Sequence, residues 1–102
     1  MPELPSGTLT FLFTDIEGST PLWEKIPEVM DCAITLHHTI LREVIEANGG
    51  VVFKTIGDAF QAAFQLASQG LNTAIDIQRR LATTEWPDAC GPLKVRIGLH
   101  VG

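Results

Sequence analysis

The 102-residue sequence predicts an α+β fold in which an antiparallel sheet carries its helices on one face, with elements in the order βαββαβ. Three observations predict it. The apolar stretches "TLTFLFTD" and "LKVRIGLHV", near the two ends of the chain, alternate with the period of strands. Residues 28–48 and 68–82 carry apolar residues at helical spacing. Between them, "GVVFKTIGDAFQAAF" sets β-branched and aromatic residues on both sides of Gly57, the pattern of a hairpin.

Taken in order, "MPELPS" reads as a loose leader over residues 1–6, followed by a single domain over 7–102. The first strand places Leu9, Phe11 and Phe13 on one face and Thr8, Thr10 and Thr14 on the other. The chain then turns at Gly18. Thr20 suits an N-cap and Pro21 a first helical position, so a short helix follows and ends before Pro27. A long helix runs from Glu28 to Asn48 on Val29/Met30, Ala33/Ile34, Ile40/Leu41 and Val44/Ile45, and "NGG" stops it. The hairpin turns near Ile56–Gly57. Ser68–Ala82 forms a second amphipathic helix with Ala67, Leu71, Ala74, Ile75, Gln78 and Leu81 on one side. "TTEWPDACGP" is loop. In the last strand Val95, Ile97, Leu99 and Val101 face one way, and Lys94, Arg96, Gly98 and His100 the other.

This order is the split arrangement of ferredoxin-like folds. The third strand then lies between the first two, and the fourth lies on the other side of the first, with both helices on one face. That topology brings Asp15, at the end of the first strand, to the rim where Asp58 begins the third. Lys54 and Arg96 are expected at the same rim, beside the Gly18–Ser19–Thr20 turn. A lone aspartate at a strand end is ordinarily a solvated turn residue, and Gly57–Asp58 is a common turn pair. Their convergence with a glycine–hydroxyl turn and an arginine points to chemistry instead. Two carboxylates about 4 Å apart repel by roughly 4 kcal/mol at an effective dielectric near 20, so one takes a proton or a cation binds between them. Hard oxygen donors suit Mg²⁺ or Mn²⁺ better than zinc. The amide-rich turn and Arg96 suit a phosphate chain.

Composition narrows the partners. A net charge of −5 without any Lys/Arg run argues against nucleic acid and anionic membranes. Cys32 and Cys90 lack ligand spacing and read as reduced thiols of a cytoplasmic protein. The leader is too short and polar for a signal peptide, and no apolar run in this segment approaches a membrane span. His37, in the apolar stripe of the long helix, and His38 beside it read as packing or surface residues. Trp23 and Trp86 read as caps on the ends of the core, and Cys32 as a packing residue.

"TFLFTDIEGSTPLWE" and "FKTIGDAFQAAF" resemble the two signature segments of class III nucleotidyl cyclases, and "LKVRIGLHVG" is similar to the strand that follows them. The resemblance runs from Gly7 to Gly102. It implies an adenylyl cyclase-type domain that converts ATP to cyclic AMP and pyrophosphate, with two Mg²⁺ or Mn²⁺ ions as cofactors. Asp15 and Asp58 would be the catalytic metal aspartates, assisted by the carbonyl of Ile16. Gly18, Ser19, Thr20 and Arg96 would bind phosphate. Lys54 matches the purine-reading position, where lysine goes with adenine and glutamate with guanine. The ribose 3′-hydroxyl would attack the α-phosphorus in line. The resemblance further implies a homodimer with sites between subunits, so that the sheet face carrying Arg96 and His100 turns toward a partner.

The family's domain continues past the position of Gly102, and that continuation carries a second purine-specifying residue and the transition-state asparagine and arginine. Loss of such an arginine costs about 10³–10⁵ in related phosphoryl transfer, so the resemblance implies weak or no turnover by these 102 residues alone. The alternative is a non-catalytic dimerisation or regulatory module of the same fold, which has no need of Asp15, Asp58 and Lys54 together. A polymerase-like palm also sets two aspartates on such a sheet, but the acidic balance and the lack of a basic groove speak against it.

Overall fold

Four strands hydrogen-bond in the order β2-β3-β1-β4, each antiparallel to its neighbours. In the computed structural model, which describes residues 7–102, the elements are β1 (Thr10–Ile16), α1 (Ser19–Lys25), α2 (Pro27–Ala47), β2 (Val51–Ile56), β3 (Ala59–Phe64), α3 (Ala67–Thr83) and β4 (Val95–Val101). The ferredoxin-like topology expected from the element order is the one observed. The leader expected at 1–6 lies outside the described residues.

The core lies between the sheet and the two longer helices. Leu12, Ile16, Phe60, Ala62 and Phe64 from the sheet meet Met30, Ala33, Ile40, Leu41 and Ile45 of α2 and Ile77 and Leu81 of α3. In β1 the alternation is as read from the sequence, and the inward set is Thr10, Leu12, Thr14 and Ile16. Phe11 and Phe13 lie on the opposite, open face, where Phe11 meets Phe53 edge to face with ring centres 6.1 Å apart. A buried threonine is tolerable at position 14 because its Oγ1 accepts a hydrogen bond from the Phe60 amide at 3.2 Å.

Four local expectations are corrected. Helix α1 starts at Ser19, with Gly18 as its cap in the left-handed region (φ 68°), so Thr20 lies inside the first turn and makes no capping bond. Helix α3 is rotated from the expected face: Gly70, Thr73, Ile77 and Leu81 are buried, while Leu71 and Ile75 are 54% and 42% exposed. The cause is close approach. A Cβ on Gly70 would stand 2.9 Å from Thr10 Cγ2 and 3.4 Å from Leu99 Cδ2, so the helix sits on the sheet through its smallest side chains. Of the two tryptophans, Trp86 packs on the core and donates from Nε1 to the Leu81 carbonyl at 2.9 Å, whereas Trp23 is exposed. Cys32 is exposed instead of packed, and both thiols are free.

Candidate active site

The open face of the sheet is organised in rows of cross-strand partners, which share a face. One row runs Lys54, Gln61, Phe13, Gly98 from β2 to β4. The next row toward the β1 end contains Asp15 opposite Arg96. Continuing the β1–β3 register past its last pair, Thr14 with Phe60, sets Asp58 of the hairpin turn level with Ile16. Asp15, Ile16 and Asp58 therefore gather where β1 ends and β3 begins, with the Gly18–Ser19–Thr20 turn directly after β1.

Asp15 is paired with Arg96. Arg96 donates from Nε to Asp15 Oδ1 at 2.7 Å and from Nη2 to Oδ2 at 2.8 Å, a two-pronged contact that occupies both carboxylate oxygens. The carboxylate, through its hydrogen bonds and its charge, pushes the Arg96 pKa above its ordinary value. The expectation of two mutually repelling carboxylates thus meets a different arrangement, in which Asp15's charge is offset by the guanidinium. Beside the pair, Phe13, Gln61 and Gly98 contribute to a shallow hollow of about 340 Å³ that also includes Asp15 and Arg96.

Lys54 is not at this hollow. It lies two strands from β1, a separation of about 10 Å, and three strands from β4, about 14 Å. A bulge between Val52 and Lys54 re-aims the strand just before it. Of the four charged residues expected at one rim, Asp15, Asp58 and Arg96 cluster at the β1 side and Lys54 stands apart on the outer strand.

The packing or surface reading of the two histidines left out their contact with each other. His37 and His38, adjacent on α2, share a hydrogen bond between their Nδ1 atoms at 2.9 Å, and both rings abut Phe60 edge to face. His37 is fully buried, and its Nε2 has no partner among the described residues. Burial, reinforced by the charge of His38, lowers its pKa to about 4. His38 is lowered as well, chiefly by burial, against the opposing pull of the Gly57 carbonyl and the Asp58 charge at the hairpin turn. The signal was present: His37 falls in step with Met30, Ala33, Ile40 and Leu41.

The donor set fits a divalent cation. Two carboxylates and a backbone carbonyl suit Mg²⁺, which binds through one or two carboxylates together with substrate phosphates. No group of three or more His, Cys, Asp or Glu side chains converges among the described residues, so a closed all-protein cage is not what this end of the sheet offers.

A family model described as "Adenylate and Guanylate cyclase catalytic domain" matches residues 1–102. The chain belongs to this cyclase catalytic-domain family. It is 38% identical to an adenylate cyclase of Neurospora crassa over 116 aligned residues, which cover 96% of the chain and 5% of that protein. It is 44% identical to an uncharacterised protein of Mycobacterium bovis, over 96% of the chain and 32% of the relative. Among solved structures, an adenylate cyclase from Trypanosoma brucei in its monomeric state superposes with a TM-score of 0.92 at 26% identity, covering 99% of this chain and 59% of that one. The chain thus spans a small part of the curated relatives. Among its described residues no helix is long and apolar enough to cross a membrane.

Proposed function

We propose that this domain binds Mg²⁺–ATP or Mn²⁺–ATP and serves the adenylyl cyclase reaction, ATP to cyclic AMP and pyrophosphate. The observation that carries this reading is the gathering of Asp15, Ile16, Asp58 and Arg96 at one end of a cyclase-family sheet. Asp15 and Asp58, with the Ile16 carbonyl, would hold the two divalent ions. When bound, such ions supply Lewis acidity that favours ionisation of the ribose 3′-hydroxyl and offsets the charge of the departing pyrophosphate. The chain's own groups do the placing. The amides of Gly18, Ser19 and Thr20 would donate to the triphosphate, and Arg96 would add a charged two-pronged donor.

Lys54 would donate to the purine and favour ATP. Its distance from the aspartates supports a composite site, in which the aspartates of one subunit work with Lys54 of a second copy. The open sheet face, with Phe11, Phe13 and Phe53 clustered on it, is the surface such a homodimer would bury. A cytoplasmic setting accords with an ATP substrate and free thiols.

Cyclic AMP formation from Mn²⁺–ATP tests the reading, with Asp58→Ala as control. Turnover by these 102 residues is expected to be weak at most, to depend on the metal and to be absent from the variant. Cyclic AMP that persists undiminished in Asp58→Ala would remove Asp58 from the reaction.

A further inference from the structure

The Asp15–Arg96 pair has a consequence for how the site is loaded, on the reading that Asp15 is a metal ligand. Both oxygens of Asp15 are engaged by the Arg96 fork. The pair is built into the ladder, because the two residues are direct cross-strand partners of β1 and β4. The fork takes two of the about four lone-pair directions of the carboxylate, and a guanidinium held that close repels an incoming divalent cation. The two cations therefore compete for Asp15.

Arg96 is able to leave. Its side chain is 65% exposed and that of Asp15 45%, so parting them disturbs no core packing. Two residues along the same face of β4 stands Gly98, opposite Phe13, and nothing lies within 4 Å of where its Cβ would be. That open space belongs to the same hollow as Asp15 and Arg96, and leaves room beside the guanidinium. Glu17, whose charge also acts on Arg96, lies just past the end of β1.

We propose that Arg96 is a resident counter-ion which Asp15 exchanges for the divalent cation, so that metal binding frees the guanidinium to take up the nucleotide's phosphates. Arg96 is then a positioning residue before loading and a phosphate ligand afterwards. The two bindings become linked: metal alone must displace Arg96 with nothing in return, whereas metal with triphosphate gives the displaced cation a new anion. By reciprocity each ligand raises the affinity for the other by the same factor.

The test uses the whole chain and begins with Mg²⁺ titrated in the NMR tube, following the Asp15 carboxyl carbon and the Arg96 Nε–H signal. The expected result is that Asp15 shifts and the hydrogen-bonded Arg96 Nε–H signal is lost over the same concentration range. Free Mn²⁺ is then counted by electron paramagnetic resonance for wild type, Arg96→Gln and Lys94→Gln, which removes a nearby charge without touching Asp15. Arg96→Gln should bind Mn²⁺ about two- to five-fold more tightly, the scale of an exposed ion pair, and Lys94→Gln should bind less tightly than Arg96→Gln. ATP should sharpen Mn²⁺ affinity in wild type and do so less in Arg96→Gln.

If Asp15 shifts while the Arg96 signal holds, the pair stays closed over the metal and the exchange is wrong, although the metal site stands. Equal Mn²⁺ affinity of Arg96→Gln and Lys94→Gln would likewise reduce the effect to bulk charge and overturn the exchange. If Asp15 does not shift at saturating Mg²⁺, the metal site itself is misplaced and the exchange falls with it.

Discussion

Acid should destabilise this domain through one histidine. His37 is fully buried, and its pKa falls from 6.5 to about 4 in the folded chain. The sign follows from proton counting: between these two values the unfolded chain binds a proton that the folded chain refuses, so stability rises with pH across the window. The contribution is fully present above the unfolded value and is lost as pH falls through 6.5 toward 4. A shift of this size corresponds to about 3 kcal/mol, of which about 2.5 kcal/mol is lost on going from neutral pH to about pH 4.5. Near pH 5.5 the slope is about 1.2 kcal/mol per pH unit. For a domain whose net stability is of the order of 5–15 kcal/mol, that is a visible share. His38, also lowered by burial, acts in the same direction. Urea unfolding at a series of pH values, with His37→Leu beside wild type, measures it. Wild type should lose stability steeply between pH 6.5 and 4.5, and the variant should show a much flatter slope. Parallel slopes in the two proteins would mean that His37 is not the group resisting its proton.

Two other substitutions report on separate parts of the account. A Cβ at Gly50 would stand 2.4 Å from Cε1 of the fully buried Phe64 ring, so Gly50→Ala should cost about 1–3 kcal/mol and lower the melting temperature by several degrees, read by thermal denaturation. At Lys54 a change of charge should alter the choice of purine: Lys54→Glu should lower the preference for ATP over GTP by about ten-fold, the scale of one hydrogen bond to a charged group, measured by competition between the nucleotides. An unchanged preference would remove Lys54 from purine recognition.

Strand order and antiparallel pairing were legible because each strand carries its own period and the hairpin marks its turn. The cluster of Asp15, Asp58 and Arg96 was legible for the same reason, since an antiparallel neighbour that ends where another begins brings those termini together. Their pairing was less so: whether Asp15 meets Arg96 or Asp58 depends on a one-residue register, and only the ladder supplies it. Lys54 lies toward the expected end of the sheet, but on the outer strand farthest from β4, so sharing that end does not bring it to the hollow of Asp15 and Arg96. The inward face of α3 was missed because Gly70 and Thr73 are not apolar bulk, and close helix–sheet approach selects size over hydrophobicity. His37 was read as a packing or surface residue of the apolar stripe; what the stripe alone could not show is its Nδ1–Nδ1 hydrogen bond to His38.

On the proposed function, Asp15 and Asp58 hold divalent ions through which this chain takes up a nucleoside triphosphate. Titration calorimetry of ATP into the chain, with and without Mn²⁺, tests it most directly, with Asp15→Asn and Asp58→Ala as controls. ATP binding should require the metal and be lost in both variants, whose circular dichroism should stay that of the wild type. ATP binding that is indifferent to Mn²⁺, or that survives both substitutions, would contradict it.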